Sequence, residues 1–111
     1  MQSLLVRPQV TIIRPSGSLN AAIAAKFQSE LASAVLSEQN SALLIDLSQV
    51  DAIDSAGLMA LIAALNLTKA NNKQLSLCSV STSIRIIFEL TQLDRVFQIF
   101  DNSSAFDRQA A

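Results

Sequence analysis

The pattern of hydrophobic positions predicts that β-strands alternate with α-helices along the chain. Strands are indicated by two-residue alternation or by short, uninterrupted apolar runs, and helices by apolar residues that recur every fourth position. The predicted strands are Leu4–Val6, Val10–Ile13, Ala42–Leu47, Gln74–Val80 and Val96–Phe100. Four helices are predicted. The first is capped by Ser18 or Asn20 and has a buried stripe of Ile23, Phe27, Leu31 and Val35, and the second runs from about Ser55 to Ala70. The third is capped by Ser81 or Thr82 and runs through Leu90, and a short fourth helix begins at Ser103.

The element order β-β-α-β-α-β-α-β-α predicts an α/β fold built from parallel, right-handed βαβ units. Arg7-Pro8-Gln9 separates the first two strands and favours a tight turn, which would add one antiparallel pair. We therefore expect a mixed, mostly parallel sheet of about five strands with about four helices. The 111 residues contain no linker, internal repeat or low-complexity segment, so we expect a single domain over residues 1–111.

Composition and charge exclude several classes of protein. Half of the residues are hydrophobic and 15% are charged, which favours a packed core over disorder. The net charge is −1 and the eight Lys and Arg residues are scattered, so the chain is not expected to bind nucleic acid. The apolar run Ala56–Leu65 is shorter than the roughly 20 residues of a membrane span, and the N-terminus lacks a signal-peptide pattern. We expect a cytoplasmic protein without direct membrane insertion.

The residue types that most often carry catalysis or bind metals are scarce. The chain has no histidine and one cysteine, so the usual nitrogen and sulfur ligands of transition metals and the usual base of a serine hydrolase are missing. Cys78 lies in a strand-like segment and is expected to be a buried, inert thiol in a reducing compartment. The sequence predicts no enzyme activity, no catalytic residue, no metal and no cofactor.

Ser55 stands where the central apolar strand gives way to the second helix, and three interpretations of it compete. A nucleophilic serine needs a base and an oxyanion hole, and Ile53 replaces the first glycine of a Gly-x-Ser-x-Gly elbow. A helix cap is the second interpretation, because Asp54 or Ser55 could accept amide hydrogen bonds while Gly57 allows close packing. The third is a serine that another protein modifies.

The residues around Ser55 carry a resemblance to a known family. The segment D-L-S-Q-V-D-A-I-D-S-A-G-L, Asp46–Leu58, resembles the signature of the STAS domain, the fold of bacterial anti-sigma factor antagonists. Gly17–Asn20 and Ile84–Phe97 are similar to the segments that begin the first helix and form the third helix of that family, so the resemblance covers nearly the whole chain. It implies a STAS-like α/β domain in which Ser55 is the phosphorylation site.

The resemblance also implies a function without catalysis by this chain. The unphosphorylated protein would bind a serine-kinase anti-sigma factor and so control transcription indirectly. The kinase would phosphorylate Ser55, a metal-dependent serine phosphatase would reverse this, and nucleotide and metal would belong to those partners. The alternative is a STAS adaptor subunit of a transporter or sensory complex without a sigma-factor target. The sequence carries no indication of the oligomeric state.

A partner-binding surface is expected around Ser55. On the second helix, Leu58 is expected to face the sheet, and Met59 is an adaptable apolar side chain beside the serine. The residues expected to form the switch surface with Ser55 are Asn20, Asp51, Asp54, Ala56, Gly57, Leu58 and Met59. Three positions depart from the family pattern: Asn20 stands in place of Asp, Gln92 in place of Gly, and Ala56 in place of a second serine.

Overall fold

The computed structural model describes residues 10–39 and 41–110 of the chain. Its strands are β1 Val10–Ile13, β2 Gly17–Leu19, β3 Ala42–Asp46, β4 Val50–Ile53, β5 Gln74–Cys78 and β6 Gln98–Phe100. Its helices are α1 Ala21–Leu36, α2 Ser55–Ala70, α3 Thr82–Leu90 and α4 Ser103–Ala110, and a 3-10 turn covers Leu93–Arg95. The alternation of strands with four helices confirms the predicted α/β fold.

Two parallel sheets organise the described part of the chain. The larger sheet has the strand order β1-β3-β5-β6, and the smaller one pairs β2 with β4. The register places Ala42 between Val10 and Gln74, and Ser76 beside Gln98. The strand expected at Leu4–Val6, and with it the antiparallel pair, lies outside the described residues.

Strands β2 and β4 were not predicted, and their burial pattern explains why. β2 is three residues long and buries Leu19 alone, while β4 buries its two ends, Val50 and Ile53, and exposes the two residues between them. Neither strand shows the alternation that marks a strand with one buried face. The last strand also begins later than expected, because Val96 donates its backbone N–H to Leu93 and ends the 3-10 turn.

The core lies on both faces of β3, which is buried along its whole length. On one face Leu43 and Ile45 pack in the main cluster, which also contains Leu61 of α2 and Phe88 of α3. On the other face Leu44 packs in a smaller cluster with Cys78 and Phe106. The ring of Phe106 meets that of Phe100 edge-on, with 5.5 Å between centroids, which holds α4 against the sheet.

Helices α1 and α2 pack against one another. Ala60 and Ala64 are almost completely buried, so the apolar breadth of α2 is explained in part by helix packing. The predicted stripe of α1 is buried at Phe27, Leu31 and Val35 but not at Ile23, for which the prediction was wrong. Ile23 lies in the first turn of α1 and lines a surface groove instead of facing the core.

Among the described residues, no helix is both long enough and apolar enough to cross a membrane.

Candidate functional site

The parallel pairing of β2 with β4 brings the starts of two helices together. Leu19 and Ile53 are paired at the ends of these strands. The next residue of each segment, Asn20 or Asp54, is the N-cap of the helix that follows. Helices α1 and α2 therefore begin side by side at one edge of the small sheet, and Ser55 lies at that edge.

The two caps differ in charge, but in both the side-chain Oδ1 accepts backbone N–H groups of the first turn. Asn20 accepts a hydrogen bond at Oδ1 from the backbone N–H of Ala22, 3.0 Å away. Asp54 accepts two at Oδ1, from the N–H of Ala56 at 2.9 Å and of Gly57 at 3.1 Å. Such bonds satisfy amides that the first turn of a helix leaves unpaired, and the carboxylate also suits the positive end of the helix dipole.

Ser55 is the first residue of α2, and its side chain is exposed. Asp54 has an extended backbone and is the residue that caps the helix. Within the described residues the hydroxyl of Ser55 forms no hydrogen bond. Of the two candidate caps, Asp54 therefore has this role, and the Ser55 hydroxyl is free to contact solvent or another molecule.

Gly57 fixes the first turn of α2 against the end of β2. A Cβ atom at this position would collide with the carbonyl oxygen of Leu19, and would lie 2.8 Å from Cγ1 of Ile53. The same Leu19 carbonyl accepts a hydrogen bond from the N–H of Asp54, at 3.1 Å. The absence of a side chain at Gly57 thus allows the backbone contact that holds Ser55 beside the start of α1.

Asp46 supports the turn that leads from β3 into β4. Its Oδ1 accepts a hydrogen bond from the N–H of Ser48 at 2.9 Å, and its Oδ2 pairs with Nε of Arg14 at 3.1 Å. Burial by itself would raise the pKa of Asp46, but the hydrogen bonds from Ser48 and the contact with Arg14 outweigh it and lower the pKa below its ordinary value. Arg14 was not singled out in the sequence, because 32 residues separate it from Asp46.

The residues of the predicted switch surface differ in exposure. Asp51, Asp54, Ser55 and Met59 are exposed, and Met59 has 61% of its area accessible. Asn20 and Ala56 are half-buried. Gly57 and Leu58 are buried, so they support this surface from beneath and do not form part of it.

Ser55 is not among the residues that line a groove of about 280 Å³ between β2 and α1. The groove is lined by Pro15, Ser16, Ser18, Leu19, Ile23, Lys26, Phe27 and Glu30.

Across residues 10–39 and 41–110, no group of three or more His, Cys, Asp or Glu side chains is placed to hold a metal ion. Cys78 is buried, and burial raises the pKa of its thiol, which keeps it protonated.

Comparison with known proteins gives a family and several similar structures. The family model of the STAS domain matches residues 2–105. A candidate anti-sigma factor antagonist from Thermotoga maritima is 26% identical with a TM-score of 0.84, and the match covers 91% of this chain and 86% of that one. A sulfate transporter family protein from Wolinella succinogenes is 20% identical with a TM-score of 0.80, over 99% and 92% of the two chains. The unphosphorylated anti-sigma factor antagonist SpoIIAA from Bacillus is 18% identical with a TM-score of 0.71, over 94% and 92%.

Proposed function

The chain belongs to the STAS domain family, and we propose that it is an anti-sigma factor antagonist whose binding to a partner is switched by phosphorylation of Ser55. In this proposal the unphosphorylated form binds a serine-kinase anti-sigma factor, and a serine phosphatase regenerates that form. Catalysis, nucleotide and metal belong to these partners. The chain acts as one cytoplasmic domain, because the kinase needs the ATP of that compartment.

The observation that carries the proposal is the division of roles between two neighbouring residues. Asp54 caps α2, whereas Ser55 is exposed and its hydroxyl has no hydrogen bond within the described residues. A serine needed as a cap would have its oxygen committed to the backbone. The exposed hydroxyl can instead enter the active site of a kinase without unfolding of the helix.

A phosphate on Ser55 would change the charge of this surface more than its shape. It would add a charge of about −1.5 to −2 next to Asp54, on a surface that also exposes Asp51. The folded domain should tolerate this charge, because it would lie in the first turn of α2 where the helix dipole favours an anion. The carboxylate of Asp54 already accepts the N–H groups of Ala56 and Gly57. A phosphate would therefore remain at the surface, where it opposes a docked partner.

A second candidate is an adaptor subunit of a transporter or sensory complex, since the sulfate transporter family protein from Wolinella succinogenes has a similar fold. That match covers 99% of this chain, and at 20% identity it supports a shared fold alone. An adaptor does not require phosphorylation of Ser55. The phosphorylation state of Ser55 in cells therefore separates the two candidates.

The test is to purify the protein from its native cells and locate phosphate by mass spectrometry of the peptide that contains Ser55. The matched control is a strain that carries Ser55→Ala, and Ser48, another exposed serine, is an internal control. We expect phosphate on Ser55 in the native strain, none on this peptide in the variant, and none on Ser48. A peptide that is never phosphorylated under any growth condition would favour the adaptor.

A further inference from the structure

Helix α3 has an apolar outer face in addition to its core face. Ile84 and Phe88 are buried against the sheet, as expected for a surface helix. On the outside, Ile86 and Leu90 have 48% and 79% of their area exposed. These two residues are four positions apart and therefore lie one above the other on the same side of the helix. A single exposed leucine is common, whereas two stacked apolar side chains form a small apolar patch that is suited to a contact with another molecule.

Two opposite charges flank this stripe. Arg85 and Glu89 are also four positions apart, so they lie along one flank of the stripe formed by Ile86 and Leu90. Within the described residues neither side chain forms an ion pair. The flank presents a positive group near the start of α3 and a negative group near its end. In an antiparallel pair of α3 helices, the positive group of each copy would therefore lie on the same flank as the negative group of the other.

We propose that α3 is the contact helix of a homodimer in which it packs antiparallel against α3 of a second copy. A two-fold axis at the level of Phe88 places Ile86 opposite the partner's Leu90, and Leu90 opposite the partner's Ile86. The same axis places Arg85 on the flank that holds the partner's Glu89. Each contact then occurs twice, which is the pattern of an isologous interface.

A second copy of the chain accounts for both the apolar stripe and the flanking charges, because it carries the same stripe and the same charges in the opposite direction. A different partner would have to supply a matching stripe and matching charges of its own. The contact is nevertheless small. Nine residues of α3 span about 13 Å at 1.5 Å per residue, so the area covered on each copy is below the roughly 800 Å² of a standard interface. The dimer is therefore weak, with a dissociation constant of about 10 µM to 1 mM.

This inference does not rest on Ser55 or on its phosphorylation, because α3 does not contribute to the predicted switch surface. Ser55 lies at the start of α2, beside the cap of α1. Failure of one proposal therefore leaves the other in place.

Sedimentation velocity of the purified protein, from about 5 µM to about 1 mM, tests the dimer. We expect the mean mass of the wild type to rise towards twice the monomer mass. Leu90→Asp should raise the dissociation constant at least about tenfold, because it places two carboxylates in the apolar contact. The matched control is Leu36→Asp, which adds the same charge at an exposed leucine of α1, 56% accessible, and should leave the dissociation constant unchanged.

A charge exchange makes the test independent of the apolar residues. Arg85→Glu should weaken the dimer, because each Arg–Glu contact becomes a contact between two acids. Adding Glu89→Arg to that variant should restore the wild-type dissociation constant to within about threefold, because the reversed pair is again self-complementary. Circular dichroism should show that all variants are folded. A wild type that remains monomeric throughout the range, equal weakening by Leu36→Asp and Leu90→Asp, or no recovery in the double variant would each overturn the proposal.

Discussion

The carbonyl oxygen of Leu19 lies against Gly57 so closely that no side chain fits between them. The same oxygen accepts the N–H of Asp54, so the end of β2 contacts both the cap and the first turn of α2. This contact fixes the position of the start of α2 relative to the cap of α1. Ser55 is placed at the shared edge of the two helices by this contact.

Gly57→Ala should therefore destabilise the protein by about 1–3 kcal/mol, the range found for overpacked sites. The added methyl group meets backbone, which cannot move as a flexible side chain would. Chemical denaturation measures the loss, and Ser55→Ala, two positions earlier in the same turn, is the control that should change stability by less than about 0.5 kcal/mol. Equal stability of Gly57→Ala and wild type would show that the close approach to Leu19 is wrong.

The cap of α2 can be assigned by a second pair of substitutions. Asp54→Ala should cost about 0.5–2 kcal/mol, because it leaves the N–H groups of Ala56 and Gly57 without their acceptor. Asp54→Asn retains an acceptor and should lose much less. Thermal unfolding of the two variants beside Ser55→Ala gives the order. A larger loss for Ser55→Ala than for Asp54→Ala would make Ser55 the cap and remove the argument that its hydroxyl is free.

The contacts of Asp46 predict a dependence of stability on pH. Its pKa is lower in the folded protein than its ordinary value of 3.8, so its charged contacts stabilise the fold above that pH, and this contribution is lost as the pH falls through the folded pKa. Asp46→Asn should cost about 1 kcal/mol at pH 7, through lost pairing with Arg14 and a weaker bond from Ser48.

Denaturation of wild type and Asp46→Asn between pH 7 and pH 2 checks the sign. The difference between the two proteins should be constant near neutral pH and should shrink below about pH 4. A difference that grows on acidification would mean that the carboxylate is destabilising in the folded state.

The sequence was sufficient for the parts of the fold whose signal is local. The apolar run of β3 predicts a strand covered on both faces, and α2 was predicted with its observed bounds because a capping sequence precedes it. β4 was missed because Asp51 and Ala52, its two central residues, are both exposed. A strand of this kind has no periodic pattern to detect, and its pairing with β2 is visible only in three dimensions.

The candidate site shows the same limit. Gly57 was expected to allow close packing, but its contact, Leu19, lies 38 positions earlier in the chain and has no sequence signal. Asp54 and Ser55 were both possible caps, since each has an oxygen that can reach the first-turn amides. The extended backbone at Asp54 and its bonds to Ala56 and Gly57 decide between them, and the carbonyl of Leu19 in β2 holds the N–H of Asp54.

Met59 provides a test of the surface that is separate from the phosphate. Met59→Lys should change the free energy of unfolding by less than about 0.5 kcal/mol, because the side chain is 61% exposed. Binding to the kinase that modifies Ser55 should weaken, because a lysine buried in an interface loses its hydration. Leu36→Lys, at an exposed position near the end of α1, is the control and should bind as the wild type does. Equal binding by all three proteins would remove Met59 from the interface.

The proposed role of Ser55 rests on the added charge, which gives a quantitative expectation. Like charges about 7 Å apart at an effective dielectric of about 40 repel by about 1 kcal/mol. Ser55→Asp adds such a charge next to Asp54, and a docked partner excludes water, which strengthens this repulsion and removes the hydration of the new carboxylate, so affinity should fall about tenfold to a hundredfold. Ser55→Asp should nevertheless fold as stably as the wild type, since an acid suits the first turn of a helix.

Isothermal titration calorimetry of four forms against the cognate kinase is the most direct measurement of this switch. The forms are the wild type, Ser55→Ala, Ser55→Asp and the protein phosphorylated at Ser55. Wild type and Ser55→Ala should bind with equal affinity, Ser55→Asp about tenfold to a hundredfold more weakly, and the phosphoprotein most weakly, because a phosphate has more charge and bulk than a carboxylate. Equal affinities for all four forms would contradict the switch.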